Sequence, residues 1–420
     1  MTATAPRRLH LLANAWLHGF SPSAWRLPDA APRGFIDVEH YVRIARIAEE
    51  GRFDALLLPD SLAADGLDTG PMPALDPLLV LTAVACATTR IGLIGSVSAG
   101  HGEPRDIARR LGSLDLLSGG RAGWNLALTP GHGPDDDAAA HPRRADECAS
   151  VVKGLWNGWP DDALVADARS GRFVDTGKLR PLRHHGEFFS VQGLLNQPRS
   201  PQGHPVLLQT CAPGDGDANA LAARHAEAVL TAAPTLDAAL DHRHDLRLRA
   251  RALGRDGTTI RVFAGLATCI GGTEAEARRR HRELIESIPR PRVRKPAARR
   301  MTAALAMAAN GEPLDDDTAA AERMVDHGPN PAAARGFASP GNGDRELIGT
   351  PEQIADEMER RFRAGAADGF SLLPDVLPGG LQDFVDGVVP ILQKRGLFRT
   401  DYEGVTLRDH LGLPRPAGRG

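Results

Sequence analysis

The chain has 420 residues, with 50 lysine and arginine residues against 53 aspartate and glutamate residues, so its formal net charge at pH 7 is −3. This balance gives no electrostatic attraction to nucleic acid, and no apolar run is long enough to cross a membrane. The start of the chain lacks the apolar run of a secretory signal, and the four cysteines lie far apart without a Cys-x-x-Cys pair. These features predict a soluble cytoplasmic protein with reduced thiols, and neither nucleic acid nor a membrane as a partner.

Strand-like and helix-like segments alternate along the first part of the sequence. Short apolar runs, which predict buried strands, lie at 9–16, 53–58, 91–97 and 122–129. Apolar residues at three- and four-residue spacing, which predict helices, lie at 38–52, 77–88, 107–117 and 144–156. The glycines after Ser118 are expected to end the third helix, because glycine readily takes the left-handed conformation of a helix C-cap.

The same alternation returns in the second half of the chain. Further strands are predicted at 206–211, 228–232, 260–270 and 369–373. Further helices are predicted at 218–225, 236–253, 353–364 and 381–395, with another that begins at a Thr273–Glu276 capping box. Eight strand–helix units predict a (β/α)8 TIM barrel as a single domain over residues 1–420. A doubly wound sheet is disfavoured because no Gly-x-Gly-x-x-Gly follows a strand and no phosphate-binding Gly-x-x-x-x-Gly-Lys-[Ser/Thr] motif occurs.

Two segments interrupt this rhythm. Residues 157–204 form an excursion with its own turn-forming residues and few helical signals. Residues 289–346 combine a basic, proline-rich stretch with a turn-rich one, and they contain too few large apolar residues for a core of their own. We expect this second segment to be an insertion or lid in a βα loop of the barrel.

Polar residues follow several of the predicted strands, where the loops of a (β/α)8 barrel form the active site. They include Asp60 after the second strand, Ser96 and Ser98 at the end of the third, and Asn125 on the fourth. A buried amide such as that of Asn125 needs hydrogen-bonding partners, whereas an aspartate or two serines are also common at ordinary strand ends. This largely uncharged lining favours the binding of a polar cofactor over hydrolysis by a pair of carboxylates.

A glycine-containing loop at 209–216, which includes Ala212 and Pro213, leads from the fifth barrel strand into a helix. Backbone N–H groups at such a helix start can bind a phosphate, although many βα loops have a similar composition. No metal site is predicted, because the side chains of the adjacent His184 and His185 diverge and no His-Glu-x-x-His motif occurs. The Gly-x-Ser-x-Gly motif of a nucleophilic serine is also absent.

The segment Ser113-Leu-Asp-Leu-Leu-Ser-Gly-Gly-Arg-Ala-Gly-Trp-Asn125 joins the third helix to the fourth strand. It closely resembles the Ser-Leu-Asp-x-Leu-Ser-x-Gly-Arg-x-Gly-Trp-Asn segment of the bacterial-luciferase-like flavin-dependent monooxygenases, in the branch that includes the nitrilotriacetate and dibenzothiophene-sulfone monooxygenases. Blocks that resemble the same pattern recur at 25–29, 53–60, 96–104, 155–159, 185–193, 198–209, 223–227, 349–352, 367–372, 377–381 and 395–399. The resemblance covers almost the whole chain, whereas 289–346 matches poorly.

This resemblance implies a barrel that binds FMN, receives it as FMNH2 from a separate flavin reductase, and reacts it with O2. A flavin hydroperoxide would then transfer one oxygen atom to nitrogen, sulfur or carbon of a small organic substrate. By the same resemblance, the isoalloxazine pocket would be lined by Asp60, Ser96, Ser98 and Asn125. The loop at Ala212 and Pro213 would hold the phosphate. A homodimer or homotetramer is implied as well, whereas neither a particular substrate nor a catalytic residue is.

Two positions depart from the family pattern. Pro213 stands where relatives have a serine, which removes a hydroxyl and a backbone N–H group from the expected phosphate loop. Pro142 stands where relatives tend to have a tyrosine that contacts the cofactor. Two alternatives therefore stay open, a deazaflavin-dependent oxidoreductase of the same superfamily and a non-catalytic flavin- or ligand-binding paralogue. His18 and His101, in loops at the barrel mouth, are either surface or structural histidines or groups that stabilise or protonate the peroxide.

Overall fold

The structure is a computed structural model of the chain. It describes residues 7–21, 23–27, 30–60, 71–72, 74–100, 102–128, 140–287 and 346–418. The predicted insertion at 289–346 therefore lies outside the described residues except for Glu346, and Thr129 and His101 lie outside them as well.

Eight parallel strands close into a barrel, which confirms the predicted (β/α)8 fold. The described strands are β1 (His10–Asn14), β2 (Ala55–Leu58), β3 (Gly92–Ser98), β4 (Ala122–Ala127), β5 (Leu164–Asp167), β6 (Arg172–Val174), β7 (Leu182–His185), β8 (Ser190–Gly193), β9 (Val206–Thr210), β10 (Ala228–Thr231), β11 (Arg261–Ile270), β12 (Glu346–Gly349) and β13 (Gly369–Pro374). The barrel consists of β1–β4, β9–β11 and β13, in that order, and the pairing of β13 with β1 completes the ring.

Every barrel strand is followed by a helix that packs outside it. The described α-helices are α1 (Val38–Glu50), α2 (Pro77–Ala87), α3 (Pro104–Leu117), α4 (His141–Trp156), α5 (Gly216–His225), α6 (Leu236–Ala252), α7 (Glu274–Glu286), α8 (Pro351–Arg363), α9 (Gly379–Lys394) and α10 (Leu407–His410). A complete capping box starts α8. At α7 the predicted box is formed in part, because Thr273 caps the N–H group of Glu276 while the Glu276 carboxylate accepts from Gly272. None of the described helices is both long and apolar enough to cross a membrane.

Three parts of the sheet structure are absent from the predicted elements. Glu346, the last residue of the predicted insertion, begins β12, which pairs with Ala267–Ile270 in the second half of β11. The 157–204 excursion contains two antiparallel hairpins, β5–β6 and β7–β8. The residues of β5 are all exposed, so this strand lacks the alternation of buried and exposed positions that identifies a half-buried strand.

The end of the chain closes the barrel at the amino ends of its strands. Leu407, Leu411 and Leu413 enter the lumen and pack with side chains such as Leu12 and Phe263. Gly92 is required at this contact, because a Cβ atom there would lie 2.5 Å from Leu407 Cδ1 and 2.9 Å from the carbonyl oxygen of Asp54. The other end of the lumen, at the carboxyl ends of the strands, is therefore the end available to a ligand.

Candidate active site

Polar side chains line the lumen at the carboxyl ends of the strands, above the apolar layer. Side chains alternate between the two faces of a strand, so Asn14 lies on the same lumen face of β1 as Leu12. Ser371 lies on that face of β13, because it is the register partner of Leu12 and its neighbour Phe370 belongs to the outer core. Ser96 follows Ile94 on the lumen face of β3 in the same way. Asn14, Ser96 and Ser371 are 6%, 3% and 0% exposed, respectively.

Asn125 and Ser96 form a hydrogen-bonded pair across two neighbouring strands. They are register partners on β4 and β3, and Asn125 Nδ2 donates to Ser96 Oγ at 2.8 Å. The Oδ1 atoms of Asn125 and Asn14 and the Oγ atom of Ser371 are buried, and none has a hydrogen-bond partner among the described residues. Since a buried polar atom without a partner costs free energy, these atoms indicate a place for a ligand with N–H or O–H groups.

The other two predicted residues of this pocket lie at the neighbouring strand ends. Ser98 ends β3 on the same face as Ser96, and its Oγ atom accepts from the N–H group of Gly100 at 3.2 Å. Asp60 is half-buried two residues after β2 and interacts with other groups of the chain. The structure thus places Asp60, Ser96, Ser98 and Asn125 at the ends of three adjacent strands, β2, β3 and β4.

The loop after β9 forms a tight turn in front of α5. The N–H group of Asp215 donates to the carbonyl oxygen of Ala212 at 3.2 Å, and Gly214 has φ +86°. Pro213 and Gly214 thus occupy the two central positions of a turn whose geometry corresponds to type II, where proline and then glycine are preferred. Pro213 therefore has a structural role that the sequence comparison with relatives did not indicate.

The start of α5 combines free donors with negative charge. The Asp215 carboxylate accepts from the N–H group of Ala218 at 3.0 Å, which caps the helix. The N–H groups of Gly216 and Asp217 have no acceptor within the helix, as in the first turn of any helix. Asp217 also places an exposed carboxylate in that turn, where solvent and salt screen its charge.

His18 is a buried anchor of the loop that follows β1. Its Nε2 atom lies 2.7 Å from the carbonyl oxygen of Ala31, and its ring is 5.6 Å from that of His40. Burial lowers the pKa of His18, so the imidazole is neutral near pH 7 and donates from Nε2 to the carbonyl. Of the two readings of His18, the contacts favour the structural one.

Asp375 is the buried carboxylate at the end of β13. Its Oδ2 atom lies 2.7 Å from Nε of Arg280 on α7, and Val376 donates its N–H group to Oδ1 at 2.9 Å. Burial raises the pKa of Asp375, whereas the charge of Arg280 opposes that rise. This ion pair joins the β13 loop to α7.

Pro142 lies in the first turn of α4, where a missing N–H group breaks no helix hydrogen bond. His184 Nε2 contacts Glu147 at 2.8 Å, whereas His185 contacts Ser190 and Gln192 on β8. Within the described residues, no three His, Cys, Asp or Glu side chains are arranged to hold a metal ion.

Asn14 and Ser371 are candidate site residues that the sequence analysis missed. Both lie in strands that the sequence predicts. Asn14 is two residues after the lumen residue Leu12, and Ser371 is the register partner of Leu12. The signal that could have found them is the parity of the strand: once Leu12 is assigned to the lumen, Asn14 must face it as well.

Comparison with known proteins identifies the family. A family model described as luciferase-like monooxygenase matches residues 16–368. The chain is 37% identical over 456 residues to the dibenzothiophene-sulfone monooxygenase of Rhodococcus erythropolis (strain XP), with 99% of each chain covered. It is 35% identical over 447 residues to nitrilotriacetate monooxygenase component A of Aminobacter aminovorans, with 95% of each covered.

A solved structure agrees with this assignment. The EDTA monooxygenase from Chelativorans sp. BNC1 has a TM-score of 0.78 to this chain at 31% identity, with 97% of this chain and 99% of that chain covered. The resemblance first noted in the Ser113–Asn125 segment is therefore confirmed over nearly the full length. The chain belongs to the luciferase-like monooxygenase family.

Proposed function

We propose that this chain is the oxygenase component of a two-component monooxygenase, and that it binds FMN, in its reduced form, at the carboxyl end of the barrel. The observation that carries the proposal is the set of unpartnered polar atoms on Asn14, Asn125 and Ser371. The pyrimidine edge of a flavin alternates N–H donors with carbonyl acceptors. Amide oxygens can accept from those N–H groups, and the Ser371 hydroxyl can donate or accept, so the residues present fit the ring.

The remaining contacts follow from the same placement. Asp60, Ser96 and Ser98 would lie along the ring at the ends of β2 and β3, and the turn at Ala212 and Pro213 would receive the phosphate. A phosphate at the start of α5 would gain from N–H groups that have no helix acceptor and from the helix dipole.

When bound, reduced FMN would supply the two electrons that activate O2. One oxygen atom would then be added to a nitrogen, sulfur or carbon atom of a small organic substrate, and the other would leave as water. The protein residues orient the ring and exclude water from it. Ser96 and Ser371 are buried in the lumen beside apolar strands, where hydrogen bonds are stronger than in water. We assign no catalytic residue.

A separate flavin reductase is proposed as the partner that supplies FMNH2. The oxygenase relative from Aminobacter aminovorans is named a component A, which supports a second component here.

A homodimer or homotetramer is also proposed, and helix α2 supports it. This 11-residue helix contains no charged residue, and yet Leu79 is 73% exposed, and Cys86, seven residues further along the same face, is exposed as well. A helix that is apolar on all sides is normally covered. A second copy of the chain is the occupant we propose for this face.

The experiment that tests the proposed cofactor is a binding panel of FMN, riboflavin and a deazaflavin, each in oxidised and reduced form under anaerobic conditions. We expect reduced FMN to bind most tightly. Preferential binding of the deazaflavin would favour a deazaflavin-dependent oxidoreductase instead. Failure to bind any of the six ligands would favour the non-catalytic paralogue.

A further inference from the structure

A chain of buried polar groups lies behind the turn at Ala212, in the layer between the sheet and helices α5 and α6. Its members are Cys211, Asn219, Thr231 and His242, each no more than 4% exposed. The surrounding side chains form an apolar cluster that includes Val229 and Leu246. Polar groups in such a layer cost free energy unless they are hydrogen-bonded. This condition is met here, because no buried side-chain N or O atom of Asn219, Thr231 or His242 is without a partner.

The hydrogen bonds of this chain have a defined direction. Asn219 Nδ2 donates to the carbonyl oxygen of Ala212 at 3.1 Å. Because a carbonyl oxygen only accepts, the orientation of the Asn219 amide is set, and its Oδ1 atom faces His242 Nε2 at 2.9 Å. His242 therefore carries its proton on Nε2, and its Nδ1 atom accepts from the Thr231 hydroxyl at 2.9 Å.

The hydrogen bond that the Thr231 hydroxyl donates to His242 Nδ1 requires a neutral imidazole. A protonated imidazole would donate from both ring nitrogens, so the Thr231 hydroxyl would have to accept from Nδ1 and its own proton would lose its acceptor, whereas the bonds from His242 Nε2 to Asn219 and from Asn219 to Ala212 would remain. Burial lowers the pKa of His242 and so favours the neutral ring. The Cys211 thiol lies 3.8 Å from His242 Nε2, and burial raises its pKa to about 12, so it adds no charge.

The chain ends on the residue that opens the turn before α5. The Ala212 carbonyl oxygen accepts from Asn219 Nδ2 and from the Asp215 N–H group at once. Two donors to one carbonyl set the orientation of the first peptide of the turn. This turn then determines the position of Gly214 and of the first N–H groups of α5.

We propose that His242 is a positioning residue for the phosphate end of the flavin: through Asn219 it sets the Ala212–Asp215 turn and thereby the backbone donors that receive the phosphate. This inference rests on the proposed function, in which the phosphate binds at that turn. It assigns a role to a buried histidine that touches neither the flavin nor the substrate.

The test compares His242→Leu with His242→Gln. Leucine fits the apolar layer but breaks the chain, whereas glutamine can accept from Thr231 and donate to Asn219. FMN and riboflavin share the same ring and differ in the phosphate, so their dissociation constants separate the phosphate end from the ring. In His242→Leu, we expect the dissociation constant of FMN to rise about tenfold and that of riboflavin to stay within about twofold of the wild-type value. A tenfold rise is near the lower limit for the loss of a hydrogen bond to a charged group. His242→Gln is expected to recover most of the lost FMN affinity.

The matched control is His225→Leu, which removes another buried histidine from the far end of α5, where its Nε2 atom contacts Asp146 at 2.7 Å. This variant is expected to leave the ratio of the FMN and riboflavin dissociation constants unchanged. Equal loss of both flavins in His242→Leu, or the same ratio change in His225→Leu, would show that His242 is merely structural and would overturn the inference.

Hydrogen exchange without flavin separates this inference from the proposed function. We expect faster amide exchange at 214–218 in His242→Leu than in the wild-type protein, and near-wild-type exchange in His242→Gln. Unchanged exchange in His242→Leu would overturn the inference even if FMN binds. A wild-type protein that binds neither flavin would refute the proposed function and the phosphate role together, whereas the exchange rates would still decide whether His242 holds the turn.

Discussion

Replacing Asp115 by asparagine is expected to stabilise the protein, and by an amount that grows as the pH rises. Asp115 lies on α3 and is completely buried. Its Oδ1 atom accepts from the N–H group of Ala122 at 3.0 Å and from Gln202 Nε2 at 2.6 Å. Burial nevertheless raises the pKa of Asp115 from 3.8 to about 6, against the effect of these two hydrogen bonds.

The magnitude follows from linkage between protonation and folding. Because the pKa of Asp115 is higher in the folded state, the folded protein binds more protons than the unfolded chain between the two pKa values. The stabilising contribution of Asp115 is therefore full below 3.8 and is lost as the pH rises through about 6. A shift of about 2 pKa units corresponds to roughly 3 kcal/mol. Asparagine keeps an acceptor for both donors and does not ionise, so the variant should gain up to that amount at pH 8 and almost nothing at pH 4.

The assay is urea unfolding of both proteins at a series of pH values from 4 to 8. The matched control is Asp106→Asn on the same helix, where the carboxylate is half-exposed and pairs with Arg109 at the surface; its difference from wild type should change little with pH. A difference for Asp115→Asn that is constant with pH, or that favours the wild type at pH 8, would refute the reasoning. The second result would mean that the buried carboxylate is stabilised as an ion, with Arg408 as the source of the charge.

Three further predictions concern the barrel mouth and the outer helices. Asn125→Leu removes the amide that faces the lumen, so FMN and riboflavin should both bind at least about tenfold more weakly in a fluorescence titration; equal affinity would exclude Asn125 from the ring pocket. Pro213→Ser returns a backbone donor and a hydroxyl, while Gly214 keeps the positive φ that the turn requires, so FMN but not riboflavin should bind roughly tenfold more tightly; an unchanged FMN affinity would mean that the phosphate is held elsewhere. Leu79→Glu charges the apolar face of α2 and should give monomers in analytical ultracentrifugation, whereas the same change at the half-exposed Leu248 on α6 should not; an unchanged oligomer would exclude α2 from the interface.

The barrel was predictable because its signals are local. Each strand is a short apolar run, each helix has apolar residues at helical spacing, and capping residues such as Thr350 mark where helices begin. The predicted strand at 206–211 and helix at 218–225 differ from β9 and α5 by one or two residues at their ends. The hairpins of the excursion and strand β12 escaped prediction, because β5 is exposed throughout and β12 depends on pairing with the distant β11.

The candidate site was predictable in part, and the missing part depends on which way each side chain points. Ser96 and Asn125 could be selected from their strand positions, but their direct hydrogen bond follows from the register of β3 and β4. Asn14 and Ser371 become site residues only when Leu12 is known to face the lumen. From the sequence, Pro213 was interpreted as the loss of a backbone N–H donor to the phosphate. Its place in a tight turn with Gly214 follows only from the backbone conformation, in which Gly214 has a positive φ.

The measurement that tests the central claim most directly is an anaerobic titration of the purified protein with reduced FMN, followed by a pulse of oxygen with absorbance recording. We expect saturable binding of one FMN per chain, and reoxidation of the bound flavin that is slower than that of free reduced FMN because the lumen shields it from water. Absence of binding, or reoxidation at the rate of free FMN with equal release of hydrogen peroxide, would contradict the assignment of this barrel as an FMN-dependent oxygenase.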